Sequence, residues 1–161
     1  SFLLDKNQVN VEMDFDGQRH EVELPQGVST EQLLTLTAGE NAVNQGDEIK
    51  VPLIDSGHAR SGDKGNHSNI GVIARKADYL PWIRAALTEQ SVASYMQHVL
   101  DAEKGRVIRY ELPGLNALNF MLENALGGGG VASLRIDPQG KAFAQQLLDM
   151  PVKVPAHLLE K

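Results

Sequence analysis

The stretch from Ile54 to Arg75 reads IDSGHARSGDKGNHSNIGVIAR, and its reading decides where the core of this chain begins. Ile70 to Ala74, at its end, is almost continuously apolar, the pattern of a short strand buried on both faces. Val51 to Ile54, just ahead, is a second short apolar strand. Between them Asp55 to Asn69, fifteen residues of Gly, Ser, Asp, Asn and His with a few cations, show no hydrophobic period. Loops of that length inside a compact domain are usually functional or disordered, so the sequence predicts a functional loop over Asp55 to Asn69.

The residue types in that loop point to an anion. Gly57, Gly62 and Gly65 let the backbone turn its N–H groups toward a ligand, and Arg60 and Lys64 supply charge. Arg60, Ser61, Gly62, Lys64, Gly65 and Asn66 are therefore candidate ligand-binding residues, with phosphate or carboxylate as the fitting group. The competing reading is a solvated connection in which Asp63 pairs with Arg60 or Lys64. Gly57 to Gly62 matches the first six positions of a phosphate-binding P-loop. Asp63 then stands where the lysine belongs, and the segment feeds a strand instead of a helix, so an NTPase reading is rejected. His58, Asp63 and His67 follow no metal-ligand spacing rule, and neither a metal nor a cofactor is expected. His20, His98 and His157 read as surface residues.

Downstream, Tyr79, Trp82, Ile83, Ala86 and Leu87 have helical spacing, and Thr88 caps a second run through Val92, Tyr95, Met96, Val99 and Leu100. Val107 to Leu112 alternates as a strand, with Ile108, Tyr110 and Leu112 on one face. Pro113-Gly114 ends it and is read as opening a helix with Leu115, Leu118, Leu122 and Ala125 as the buried stripe. On that helix Asn116, Asn119 and Glu123 would project along the opposite side, either as a solvent face or as a ligand-facing row. Gly127 to Gly130 ends the helix, and four glycines exceed what a C-cap needs. They imply a close backbone approach, to a ligand or a neighbouring subunit, or a hinge; Gly128 and Gly129 join the ligand-binding candidates with Asn116 and Asn119. Val131 to Ile136 reads as the last strand, Asp137-Pro138 as the start of a helix to about Met150, and Pro151 and Pro155 as breakers of the tail.

Upstream, two alternating runs, Val9 to Phe15 and His20 to Leu24, flank Asp16-Gly17, a two-residue hairpin signal. Pro25-Gln26-Gly27 closes it, and residues 28–46 hold a short helix after Ser29 or Thr30 and a turn-rich linker. The order predicts an α+β two-layer sandwich: a four-stranded mixed or antiparallel sheet with helices on one face, preceded by a β-hairpin. Three segments follow: residues 1–50 as an acidic hairpin and linker, 51–151 as the main domain and 152–161 as a tail.

Composition sets the outer limits. A chain of 161 residues has room for one sizeable core plus an appendage. No apolar run approaches the roughly 18 residues of a spanning helix and no secretory signal is read, so no membrane is expected and the location expected is cytoplasmic. The absence of cysteine excludes a disulfide framework, a thiolate metal site and a cysteine nucleophile. Residues 1–50 hold three Lys/Arg against ten Asp/Glu, net -7, and residues 51–161 hold twelve against eleven, net +1. Neither part offers the basic stripe of a nucleic-acid binder, and no nucleic acid is expected as a partner.

HARSGDKGN, SNIGVIAR, YELPGLNALNF and GGGGVASLRID, in that order, resemble the C-terminal ferredoxin-like domain of the acyclic terpene utilisation (AtuA) proteins. The resemblance covers about Val51 to Pro151. It implies a ferredoxin-like fold, a place in bacterial catabolism of acyclic terpenes and branched acids through acyl-CoA intermediates, and a larger N-terminal AtuA-like domain as a partner. It makes Arg60 to Asn66, Asn116, Asn119 and Gly127 to Gly130 the distinctive positions without assigning them catalytic roles.

Three functions compete. A module binds an anionic small molecule, such as an acyl-CoA, or completes a site with another domain. An enzyme of hydratase or isomerase type uses Asp63 or His58 to move protons, with Lys64 or Arg60 holding an oxyanion. A homo-oligomerisation domain packs a sheet edge or the glycine segment against a second copy.

Overall fold

A computed structural model describes residues 8–23 and 47–159. The chain divides into two compact units, Ser1–Thr37 and Ala38–Lys161. In the first, strands β1 (Glu12–Phe15) and β2 (Gln18–Glu21) pair antiparallel. Asp16 and Gly17 between them have φ of 54° and 76°, the left-handed pair that a type I′ turn requires. The expected hairpin is present, with every residue of both strands exposed. The helix and linker read over residues 28–46 lie outside the described residues, as do Leu24 and the turn that follows it.

The second unit carries a four-stranded sheet in the order β4 (Gly57–Lys64), β5 (His67–Ala74), β7 (Ala117–Glu123), β6 (Arg106–Leu112), with all neighbours antiparallel. It is two hairpins, β4–β5 and β6–β7, joined by helices α1 (Leu80–Ala86) and α2 (Glu89–Tyr95) and paired through their inner strands. Helix α3 (Phe143–Leu148) follows. A separate two-stranded ribbon pairs β3 (Glu48–Pro52) with β8 (Pro151–Pro155), and a final turn of helix, α4 (Ala156–Leu159), ends the described chain.

The helices cover one face of the sheet. Ile70 and Val72 of β5 and Leu118, Phe120 and Leu122 of β7 alternate onto that face and are buried against Ile83, Leu87, Val92, Met96, Phe143 and Leu147. Burying each such side chain contributes about 1.5–3 kcal/mol, so this layer is the main source of stability. Thr88 caps α2 as its sequence position implies, its Oγ1 accepting from the Ser91 N–H at 3.1 Å. The architecture is the α+β sandwich expected, with a wholly antiparallel four-stranded sheet.

Several elements differ from the sequence reading. Asp55 to Asn69 is not a long loop: Leu53–Asp55 is a turn of 3-10 helix, and the rest is β4, a two-residue turn at Gly65 and Asn66, and the start of β5. The strand is hard to see because its helix-facing positions are Gly57, Ala59, Ser61 and Asp63, too small or polar to register as an apolar period. Residues 115–126 are not a helix. Pro113 to Asn116 form a hairpin turn, with φ of 84° at Gly114 and 49° at Asn116, and β7 follows. Leu118 and Leu122 fit a helical stripe, but Leu118, Phe120 and Leu122 fit a strand equally well, and pairing on both sides decides for the strand.

On β6, Ile108, Tyr110 and Leu112 do share a face, but it is the open one. Arg109 and Glu111 turn toward the helices: the Arg109 guanidinium donates to the Arg84 and Leu87 carbonyls at 2.9 and 3.2 Å, and Arg84 Nε donates to Glu111 at 3.1 Å. Val131 to Ile136 form no strand. Arg135 reaches back to the carbonyls of Val99 and Ala125, at 2.6 and 2.7 Å, and holds the segment as a loop with Val131, Leu134 and Ile136 exposed. The tail is not simply broken by its prolines, which sit at the two ends of β8, where a missing N–H does least harm.

Candidate functional site

Alternation along β4 sends His58, Arg60, Gly62 and Lys64 to the open face of the sheet and Ala59, Ser61 and Asp63 to the helical side. Ser61 is buried and ties the strand to the approach of α3: its Oγ donates to the Lys141 carbonyl at 3.2 Å and accepts from the Ala144 N–H at 2.9 Å. The Asp137 carboxylate shapes the same approach by accepting from the N–H groups of Lys141 and Ala142 at 2.9 and 2.8 Å. These bonds bring the Lys141 side chain to β4, with Nζ 3.6 Å from Asp63 Oδ1. A Cβ on Gly62 would stand 3.0 Å from that Nζ, so the glycine makes room for the ammonium.

The result is a cleft of about 390 Å³ in which Arg60, Lys64 and Lys141 meet around Gly62, with Asn69 and Gly71 on its far wall. Among the described residues Asp63 is the one carboxylate lining it. Lys64 Nζ donates to the Asp63 carbonyl at 3.0 Å, and Arg60 makes no ion pair among the described residues. Three cations against one acid leave the cleft electropositive, and the chemistry that fits it is a carboxylate or phosphate.

Beside the cleft, on the same face, runs an apolar trough of about 310 Å³ lined by His58, Ile73, Leu112 and Ala117. Arg60 and Gly71 line both recesses, so the two meet there. Gly71 contributes no side chain at the junction. Next to it Asn69 Nδ2 donates to Asn119 Oδ1 at 3.0 Å, a cross-strand pair on the open face. Asn116 lies in the β6–β7 turn, its carbonyl accepting from the Ala74 N–H at 3.0 Å. Asn116 and Asn119 therefore do not form the single row that a helix would have given.

His58 opens into the trough, whereas Asp63 leaves the opposite side of β4 and lies beside Lys141. Among the described residues no group of three or more His, Asp or Glu is placed to hold a metal ion. At the far end of the sheet, Arg106 is hydrogen-bonded to Glu123 across β6 and β7, and its guanidinium holds the Glu123 carboxyl below the ordinary glutamate range.

The glycine run meets the β4–β5 turn directly. Gly127, Gly128, Gly129 and Gly130 all have positive φ, and a Cβ on Gly129 would overlap the carbonyl of Gly65. Asn66 joins the two: its Oδ1 accepts from the Gly128 N–H at 2.6 Å, and its carbonyl accepts from Ala125 and Leu126 at 3.1 Å each. Its Nδ2 donates to Asn124 Oδ1 at 3.1 Å, and Asn124 in turn donates its N–H to His67 Nδ1 at 2.9 Å. The close backbone approach implied by four glycines is made by the chain's own turn.

The sequence pattern of the AtuA ferredoxin-like domain matches residues 51–153, more than half of the chain. The chain belongs to that family. No curated protein and no solved structure matches it. The AtuA ferredoxin-like match starts in β3 and ends in β8, two strands paired at Val51 and Val152, so it takes in the whole four-stranded sheet. Among the described residues no helix is long and apolar enough to cross a membrane.

Of the candidates read from sequence in this AtuA-like domain, Arg60, Ser61, Gly62, Asp63 and Lys64 line the cleft and His58 the trough. Gly65, Asn66, Gly128 and Gly129 gather in the turn contact instead. Sequence reasoning missed Lys141, Gly71, Ile73 and Leu112. Lys141 had one local signal, its place four residues after Asp137, where the aspartate caps its N–H. The others required the strand pairing.

Proposed function

We propose that this domain is the C-terminal module of an AtuA-like protein and that its open sheet face binds an anionic molecule with an apolar body. A branched acyl-CoA or its free acid is the class that the family suggests. The observation that carries the reading is the junction at Arg60 and Gly71, where the cation-lined cleft meets the apolar trough. An anionic group among Arg60, Lys64 and Lys141 gains charge-assisted hydrogen bonds, and a hydrocarbon along Ile73, Leu112 and Ala117 buries apolar area at about 25 cal/mol per Å². An AtuA-like N-terminal domain would complete the site by covering what the sheet leaves open. An acid–base step by Asp63 or His58 draws less support, because Asp63 is ion-paired to Lys141 and His58 lines the apolar trough.

Calorimetric titration of the chain with a branched medium-chain acid and its CoA thioester is the test. Saturable binding that weakens with added salt and with Arg60→Ala or Lys141→Ala is expected. Titrations silent both in heat and in competition with a fluorescent fatty acid would overturn the reading.

A further inference from the structure

A third recess, of about 410 Å³, lies away from the open sheet face and shares no residue with the cleft or the trough. Its walls come from the β3–β8 ribbon and α1: Glu48, Lys50, Pro151 and Lys153 on one side, Trp82 and Ala85 on the other. Two features set it apart from an ordinary surface furrow.

The first is a charge conflict within the ribbon. Lys50 and Lys153 are directly opposite one another, an arrangement that costs free energy in an antiparallel pair. Glu48 answers only Lys153, its Oε2 lying 3.2 Å from Nζ with the carboxylate 15% exposed. Lys50 has no ion-pair partner among the described residues. One ammonium of an unfavourable pair is left facing the recess without an ion pair among the described residues.

The second is the aromatic wall. Trp82 is half-buried, packed against the core on one side and lining the recess on the other. Ala85, on the same helix, is too small to cover it. An indole beside an unanswered ammonium is complementary to a flat ring carrying an anion: the ring stacks on the indole while the anion meets the lysine.

We propose that this groove binds a small anionic molecule with a planar aromatic ring, the ring against Trp82 and the anion at Lys50. A nucleotide and an aryl carboxylate share that chemistry. The groove is independent of the open-face site, so either assignment stands if the other fails.

Trp82 is the single tryptophan of the chain, so its emission reports on this groove alone. The chain is titrated at low salt with AMP, benzoate, adenosine and ribose 5-phosphate while tryptophan emission is followed. Saturable change with AMP, benzoate or both is expected, with adenosine and ribose 5-phosphate weaker by about fivefold because each lacks one of the two elements. Response to AMP alone assigns the groove to nucleotides, and response to benzoate alone to aryl acids. Lys50→Ala, with Lys50→Gln as a second variant, weakens binding about fivefold, while Arg60→Ala leaves it unchanged. No saturable response to any probe, equal response to AMP and adenosine, or an unaltered response in both Lys50 variants would each overturn the proposal.

Discussion

Gly129 lies against Gly65 with no room for a Cβ between them, so the glycine run and the β4–β5 turn are packed backbone to backbone. This contact fixes where the end of β4, with Lys64, sits relative to the loop that leads to Lys141. Gly129 also has a φ of 67°, whereas Gly130, with a φ of 49°, has open space where its Cβ would go. The two positions separate a steric requirement from a conformational one. Gly130→Ala costs about 1 kcal/mol, the expense of a left-handed alanine. Gly129→Ala adds a backbone collision and costs about 3 kcal/mol or more. Urea denaturation of both variants measures the difference, and equal midpoints would remove the contact from the account.

Asn66 and Asn124 form the polar half of the same contact. Asn66→Ala leaves the Gly128 N–H and Asn124 Oδ1 without their partners, a loss of about 1–2 kcal/mol for one exposed and one part-buried bond. Because Asn66 and Asn124 share one of those bonds, the double variant to alanine is less destabilised than the sum of the singles. Hydrogen exchange locates the effect: the Gly128 amide loses protection in Asn66→Ala, while the amides of Ile70 and Phe120 keep theirs to within the change in global stability.

The elements whose apolar side chains are large and regularly spaced were legible in the sequence. Tyr79 to Met96 announce two helices because Ile83, Leu87, Val92 and Met96 are bulky and fully committed to the core. Asp16-Gly17 announces a hairpin because few other pairs tolerate two left-handed residues. β4 was not legible, since Gly57, Ala59 and Ser61 hold its core-facing positions and its stability comes from β5 and α3. β7 was read as a helix because Leu118 and Leu122 fit a helical stripe, while Leu118, Phe120 and Leu122 fit the strand period equally well. The cation content of the site was visible in Arg60 and Lys64. Its apolar half was not, because Ile73, Leu112 and Ala117 become neighbours only when the inner strands pair.

Acid weakens the fold through two carboxylates. Asp101 Oδ1 accepts from the N–H groups of Lys104 and Glu103 at 2.9 and 3.0 Å, and these bonds hold its carboxyl below the ordinary aspartate range. Glu123 is lowered by its bond to Arg106. For both groups the folded value lies below the unfolded one, so their stabilisation is present above the unfolded value and disappears as pH falls through the folded value. The urea midpoint therefore falls on acidification below about pH 5. Asp101→Asn flattens that fall, and an unchanged slope would mean that the bonds to Asp101 are not kept in solution.

Gly71 offers the sharpest separation of the two halves of the open-face site. A Cβ there would meet only the Arg60 carbonyl at 3.9 Å and Asn119 Oδ1 at 4.0 Å, ordinary contacts, and its φ lies outside the left-handed range. Gly71→Val is thus tolerated, and the β-branched side chain favours a central strand, so stability holds or rises by about 0.5 kcal/mol. The new isopropyl group stands on the open face at the junction of cleft and trough. A molecule that spans both loses access to one of them, whereas inorganic phosphate, which needs only Arg60, Lys64 and Lys141, does not. Calorimetry should therefore show the medium-chain acid weakened at least about tenfold, the worth of a few buried methylenes, with phosphate affinity unchanged. If both ligands weaken together, the cleft and the trough are not separable binding surfaces; if neither does, the ligand does not cross Gly71.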